Sequence, residues 1–164
     1  MFADLAKAAP PDEHRHLMSY FPTGVSVVTA VDRSGSPYGL TCSSLASISL
    51  QPSTLLVSLM SGSATLQRAL QQGVFGVVLL HAEARGIAER FAAPEPDRFA
   101  GLDWTPSPLG TPWLTSAMTA AADCQVAHSV EVGDHTLVLG VVHTVQVCGG
   151  TPLMYGLRDY GRWA

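Results

Sequence analysis

Two sets of small hydroxyl side chains lie close together in this chain of 164 residues: Thr41, Ser43, Ser44, Ser47 and Ser49, then Ser63 and Thr65. If residues 38–49 are extended, side chains alternate between two faces. Thr41, Ser43, Ser47 and Ser49 then share one face, with Leu40, Cys42, Ala46 and Ile48 on the other. A strand carries a row of hydroxyls only where that side meets water or a polar ligand. Ser44 interrupts the alternation, so a bulge is expected at Ser43–Ser44 that would aim backbone amides at the same place.

The second set reads as a helix start. Ser63 stands at the N-cap position, Ala64-Thr65-Leu66 opens the helix, and Gly73 is placed to stop it. The first turn has no carboxylate, although acids are favoured there, so its positive end is left for an anion. A hydroxyl strand beside such an end suits the edge of a flat heterocycle and its phosphate. A solvated sheet face and a simply capped helix would leave the same residues in the same order.

Other chemistries lack their residues. No strand is followed by Gly-x-Gly-x-x-Gly, and neither a P-loop nor a Gly-x-Ser-x-Gly elbow occurs. Cys124 and His128 fall on an expected strand, where four residues span about 13 Å, too far for one metal. The net charge of −4 offers nothing to nucleic acid. Three widely spaced cysteines, Cys42, Cys124 and Cys148, form neither a disulfide framework nor a zinc pattern. The apolar runs Val74–Leu80 and Leu137–Val142 are too short to cross a bilayer, and the N-terminus lacks a signal-peptide pattern. A cytoplasmic, soluble protein is expected. With 47% hydrophobic and only 13% charged residues, part of the surface is expected to be buried in an oligomer.

The elements that must position the hydroxyls follow from periodicity. Residues 1–12 read as a flexible arm and 13–164 as one domain. Asp12 is expected to cap a helix reaching Tyr20, with Leu17, Met18 and Phe21 as its apolar side. Val25–Val31 reads as a strand, turned at Asp32–Ser36 into the hydroxyl strand. Thr54–Met60 reads as a central strand, and Val74–Leu80 as another buried one. Glu83–Phe91 has helical spacing, stopped by Pro94 and Pro96. Residues 93–116, rich in Pro and Gly and anchored by Trp104 and Trp113, form a long excursion. Thr119–Val130 and His135–Val147 are two long strands joined at Gly133-Asp134, and a last strand lies near Leu153–Tyr155. The expected fold is mainly β with short helices: a closed antiparallel barrel with its edges removed.

These residues resemble a family. Phe21-Pro22-Thr23-Gly24-Val25-Ser26-Val27-Val28-Thr29, followed by Gly39-Leu40-Thr41-Cys42-Ser43-Ser44-Leu45, is similar to the short-chain flavin reductases, the reductase components of two-component flavin monooxygenases. The resemblance continues through Ser63–Leu66, Arg90-Phe91, Asp97-Arg98-Phe99 and Gly133-Asp134-His135 to Tyr155–Tyr160. It implies the FMN-binding split barrel, a homodimer, FAD or FMN as flavin, and NADH or NADPH as hydride donor. It also implies site residues. Thr41, Cys42, Ser43, Ser44 and Ser47 match the segment along the isoalloxazine and ribityl chain. Ser63 and Thr65 match a phosphate-binding Ser-x-Thr, and Arg90 and Phe91 match residues close to the flavin. Asp134 and His135 match the turn whose His contacts the nicotinamide nucleotide or flavin. Gly62 and Ala64 depart from the Ser and Arg of many relatives.

The function implied is an NAD(P)H:flavin oxidoreductase that passes reduced flavin to a separate monooxygenase. A flavin carrier or sensor on the same barrel is the alternative. A split-barrel oxidase of a pyridoxamine-type phosphate would want a strongly basic phosphate pocket, whereas Arg68 is the only basic residue near the helix start in sequence. No motif locates an Arg or Lys for the 2′-phosphate that separates NADPH from NADH.

Overall fold

The computed structural model describes residues 8–162, so most of the expected arm, residues 1–7, lies outside the described residues. The chain is mainly β, with three helices and twelve strands among the described residues. Helix α1 spans Pro11–Ser19. Pro10, not Asp12, stands at its N-cap, which corrects the expected start. Pro11 occupies the first helical position, where a missing N–H costs nothing. Asp12 sits in the first turn, favourable to the helix dipole, and pairs with Arg15 at 2.8 Å. No residue of α1 is buried, and the expected apolar side is open: Leu17 is 67% and Phe21 64% exposed.

After β1 (Thr23–Gly24), β2 (Ser26–Val31) is buried except at its last residue. Successive side chains point to opposite faces, so Val27 and Val28 join different core clusters. Asp32 closes the hairpin, its Oδ1 accepting from the Ser34 and Ser36 amides at 2.8 and 3.0 Å. β3 (Pro37–Cys42) returns antiparallel along β2.

The single bulged strand expected over 38–49 is instead two strands, β3 and β4 (Leu45–Leu50), with different neighbours. Cys42 is the Cα partner of Ser26 on β2, whereas Leu45 faces Val57 on β5 (Ser53–Met60). The reason lies in the broken alternation. Cys42 and Leu45 both pack on one core cluster, but a continuous strand would put positions three apart on opposite faces. Ser43 and Ser44 form the link, with the Ser44 carbonyl accepting from the Ser58 amide at 3.0 Å.

Helix α2 (Ala64–Gln72) starts at the Ser63 cap and ends at Gly73, whose φ of 73° is the left-handed geometry glycine tolerates. β6 (Val74–Leu80), α3 (Arg85–Ala92), the short ladder β7 (Thr105–Pro106) with β8 (Pro112–Trp113), and the long hairpin β9 (Met118–Val132) and β10 (His135–Val147) follow. β11 (Leu153–Gly156) pairs with β1 and with β12 (Asp159–Arg162), a strand the sequence reading does not contain.

Seven strands form one antiparallel sheet in the order β3-β2-β6-β9-β10-β5-β4. The two edge strands, β3 and β4, are therefore consecutive in the chain. One core cluster, with Leu59, Leu66, Phe75 and Val138, is shared by the sheet and α2. The other, with Phe91, Phe99, Trp113 and Leu153, lies under α3 and the excursion. Full burial of side chains this size is worth roughly 1.5–3 kcal/mol each. The excursion is pinned from inside. Asp123 on β9 is fully buried and accepts from Ser107 Oγ at 2.7 Å, the Leu109 amide at 3.0 Å, and Thr111 Oγ1. No helix among the described residues is long and apolar enough to cross a membrane.

Candidate functional site

The Ser43–Ser44 link opens on a cleft of about 310 Å³. Thr41, Cys42, Ser43, Ser44, Ser58, Ser63, Arg98 and His135 line it with Leu40, Leu59 and Met60, and no carboxylate does. A second cleft of about 500 Å³ adjoins it, sharing Ser63 and Arg98 and adding Tyr38, Gly39, Thr65 and Glu95 among others. The strand link, the α2 start and the β9–β10 hairpin are far apart in sequence, and the sheet brings them to one place.

Ser63 ends the β5–α2 connection, its amide donating to the Met60 carbonyl at 3.0 Å and its Oγ accepting from the Leu66 amide at 3.3 Å. The other amides of the first turn have no intrahelical acceptor, and no acid stands there. Thr65 is buried and lines the adjoining cleft.

The hairpin tip is tied to the same connection. The Ser61 amide donates to the Asp134 carbonyl at 3.0 Å, and Ser61 Oγ lies 2.9 Å from Thr136 Oγ1. Gly133, at φ 61°, makes the two-residue turn possible. His135 Nδ1 lies 2.7 Å from Asp134 Oδ1. This hydrogen bond, and the charge His135 carries when protonated, hold the Asp134 carboxyl below its ordinary range.

Arg98 completes the cleft, a residue to which neither its spacing nor the family resemblance assigns a role. Its Nε and Nη2 donate to the Ala93 carbonyl at 3.0 and 2.6 Å, and Nη1 to the Gly39 carbonyl at 2.8 Å. A guanidinium has five N–H donors, so two remain for an anion. Arg68, expected to be the basic residue near the helix start, lies elsewhere. It stacks 5.1 Å over the Tyr38 ring, bonds Gln71, and lines a separate cleft with Asp32 and Arg33.

Of the remaining singled-out residues, Thr41 and Cys42 line the first cleft and three others do not. Thr41 Oγ1 donates to the Ala88 carbonyl at 2.6 Å, tying β3 to α3. Cys42 is buried, and burial pushes its thiol up. Ser47 is exposed on β4 and lines neither cleft. Arg90 and Phe91 line neither cleft as well. Arg90 braces the excursion through the Ala100 carbonyl at 2.7 Å, and Phe91 is fully buried edge-on to Phe99 at 4.9 Å. A Cβ on Gly39 would come within 2.7 Å of the Phe91 ring, so that glycine lets β3 lie against α3.

Residues 18–164 match the model of the flavin reductase like domain. The chain belongs to the flavin reductase-like family. A flavin reductase (NADPH) of Lentzea aerocolonigenes is 49% identical over 92% of this chain and 89% of its own length. The flavin-dependent monooxygenase reductase subunit HsaB of Rhodococcus jostii (strain RHA1) is 35% identical over 94% of this chain and 79% of its own. Among solved structures, the NADH:FAD oxidoreductase SgcE6 of Streptomyces globisporus C-1027, in complex with NAD and FAD fragments, superposes with a TM-score of 0.87. It is 30% identical and covers 97% of this chain and 98% of its own.

Proposed function

We propose that this chain is an NAD(P)H:flavin oxidoreductase that reduces FAD or FMN and supplies the reduced flavin to a partner monooxygenase. One observation carries the reading: Ser43 and Ser44, the Ser63 helix end, Arg98 and His135 share one cleft without a carboxylate. The donor set suits a flavin. Neutral hydroxyls and amides match the heteroatoms of an isoalloxazine edge, while a helix N-terminus and a half-satisfied guanidinium match a phosphate.

In this reading Ser43 and Ser44 hold the ring edge, with Thr41, Cys42 and Ser47 shaping the strands beside it. Ser63, Thr65 and Arg98 hold the phosphate, and Arg98 supplies the cation that Ala64 does not. Arg90 and Phe91 act through the excursion and α3 rather than by touching the flavin. A bound flavin would supply the hydride acceptor and the nicotinamide the donor, so electron transfer would belong to the two cofactors. The protein's task is to align them. His135, oriented by Asp134, donates to the nicotinamide nucleotide at the mouth of the cleft. Catalytic weight at His135 and Asp134 is thus positional.

Three further elements belong to the proposal. The edges β3 and β4 close toward each other across the Ser43–Ser44 link as a split barrel, a shape supported by their adjacency in the chain. The protein works as a homodimer, supported by open apolar side chains such as Leu50 at 82% and Val147 at 74% exposure. It works in the cytoplasm, where its free cysteines stay reduced.

Titration with FAD and FMN tests the reading. Saturable quenching of flavin fluorescence at one site per subunit is expected, with dissociation constants of tens of micromolar or tighter. No binding of either flavin would overturn it.

A further inference from the structure

Ser43 and Ser44 also line a cleft of about 840 Å³ between α1 and the β11–β12 hairpin. Phe21 and Tyr155 give it aromatic surface, and Asp12, His14, Arg15 and Arg158 are the acidic and basic side chains on its walls. Asp12 is engaged by Arg15, whereas Arg158 has no ion pair among the described residues. Two guanidiniums therefore face one carboxylate.

The placement of Arg158 is unusual. Leu157 and Arg158 form the two-residue turn of the hairpin, with φ of 51° and 62°. Turns of this kind favour Asn-Gly, because glycine has no Cβ and asparagine hydrogen-bonds locally, whereas leucine and arginine adopt left-handed geometry at a cost. The turn is held against α1, the Leu157 amide donating to the Ser19 carbonyl at 2.6 Å. Strain supported by its surroundings in this way is found where a side chain has work to do.

The two clefts meet at Ser43–Ser44. Under the function proposed above, the flavin phosphate lies toward α2 and Arg98. A nicotinamide stacked on the ring at Ser43–Ser44 must send its own phosphates another way. The cleft between α1 and the β11–β12 hairpin leads there and carries the unpaired charge.

We propose that Arg158, together with Arg15, binds a phosphate of the nicotinamide dinucleotide in the cleft between α1 and the β11–β12 hairpin. The proposal rests on the reductase reading, and the test separates the two. Arg158→Gly removes the charge while accepting the positive φ; Arg158→Gln removes only the charge, and Arg158→Lys restores it. ADP-ribose and 2′-phospho-ADP-ribose, which have no nicotinamide to react, are titrated by calorimetry into each variant. FAD and FMN binding is followed in parallel by fluorescence.

For the glycine and glutamine variants, affinity for at least one probe should fall about tenfold, with partial recovery in the lysine variant. Flavin affinity should stay within about twofold, since Arg158 lies across the serine link from the proposed flavin phosphate site. Loss for both probes assigns the pyrophosphate; loss for the 2′-phospho probe alone assigns the 2′-phosphate and NADPH preference. Unchanged affinity for both probes, or no binding of either by the parent chain, would overturn the proposal while leaving flavin binding intact. Absent flavin binding would instead remove the reductase reading.

Discussion

Arg98 Nη1 donates to the Gly39 carbonyl at 2.8 Å, across 59 positions of chain. This one contact carries a cation from the excursion onto β3, beside the start of α2. The excursion can deliver it because its outer ladder hangs on the buried Asp123, and because α3 and Phe99 pack beneath Gly39.

A phosphate role for this corner, as proposed, predicts a selective loss. Arg98→Gln, and separately Ser63→Ala with Thr65→Ala, should weaken FMN and FAD by about tenfold or more, charge-assisted hydrogen bonds being worth roughly 1.5–3 kcal/mol before compensation. Riboflavin, lacking the phosphate, should lose little. Ser63→Ala also removes a cap and should lower stability by about 1 kcal/mol. Parallel titrations with the three flavins check this, and an equal loss for all three would place these residues away from the phosphate.

His135 is expected to matter for reduction and not for flavin retention. His135→Ala should keep most of the flavin affinity while lowering kcat/KM for NAD(P)H by roughly tenfold, about the loss of one good hydrogen bond. Asp134→Asn should fall in the same direction by a smaller factor, because it removes the partner that orients the ring. Steady-state kinetics with flavin titration on the same samples measures both. Unchanged kinetics would leave His135 a hairpin residue of the surface.

Burial gives the fold a pH dependence of its own. The Cys124 thiol is pushed from its ordinary 9.0 up to about 12, first by desolvation and then by the Asp123 charge. The folded chain thus holds that proton more tightly than the unfolded one. The associated stability is complete below about pH 9 and is lost as pH rises toward 12, at up to about 1.4 kcal/mol per pH unit. Urea midpoints measured from pH 8 to 11 should fall, and Cys124→Ala, though less stable overall, should fall less steeply. Identical slopes would assign the loss to other groups.

Helix α2 was legible because two independent signals agreed: a Ser cap and a Gly stop. The long strands and the Gly133-Asp134 turn were legible for the same reason. Four features were not. Alternation flagged Ser44, but only the sheet order reveals that the chain there passes from one edge strand to the other. Strand β12 follows Leu157-Arg158, a turn without the Gly or Asn that marks one. Asp123 looks like a solvent-facing strand residue until the excursion folds over it. Arg98 becomes a site residue only through a contact 59 positions away, whereas Arg68, near in sequence, turns to Tyr38.

Anaerobic single-turnover mixing tests the central claim most directly. The protein, loaded with FAD or FMN, is mixed with NADH or NADPH, and the oxidised flavin absorbance is followed. If Ser43–Ser44, the α2 start and the His135 hairpin form one hydride-transfer site, the bound flavin should bleach by one equivalent, much faster than free flavin at the same concentrations. The His135→Ala protein should bleach about tenfold more slowly. Flavin that binds stoichiometrically yet is reduced no faster than in free solution would contradict the account and leave a carrier in place of a reductase.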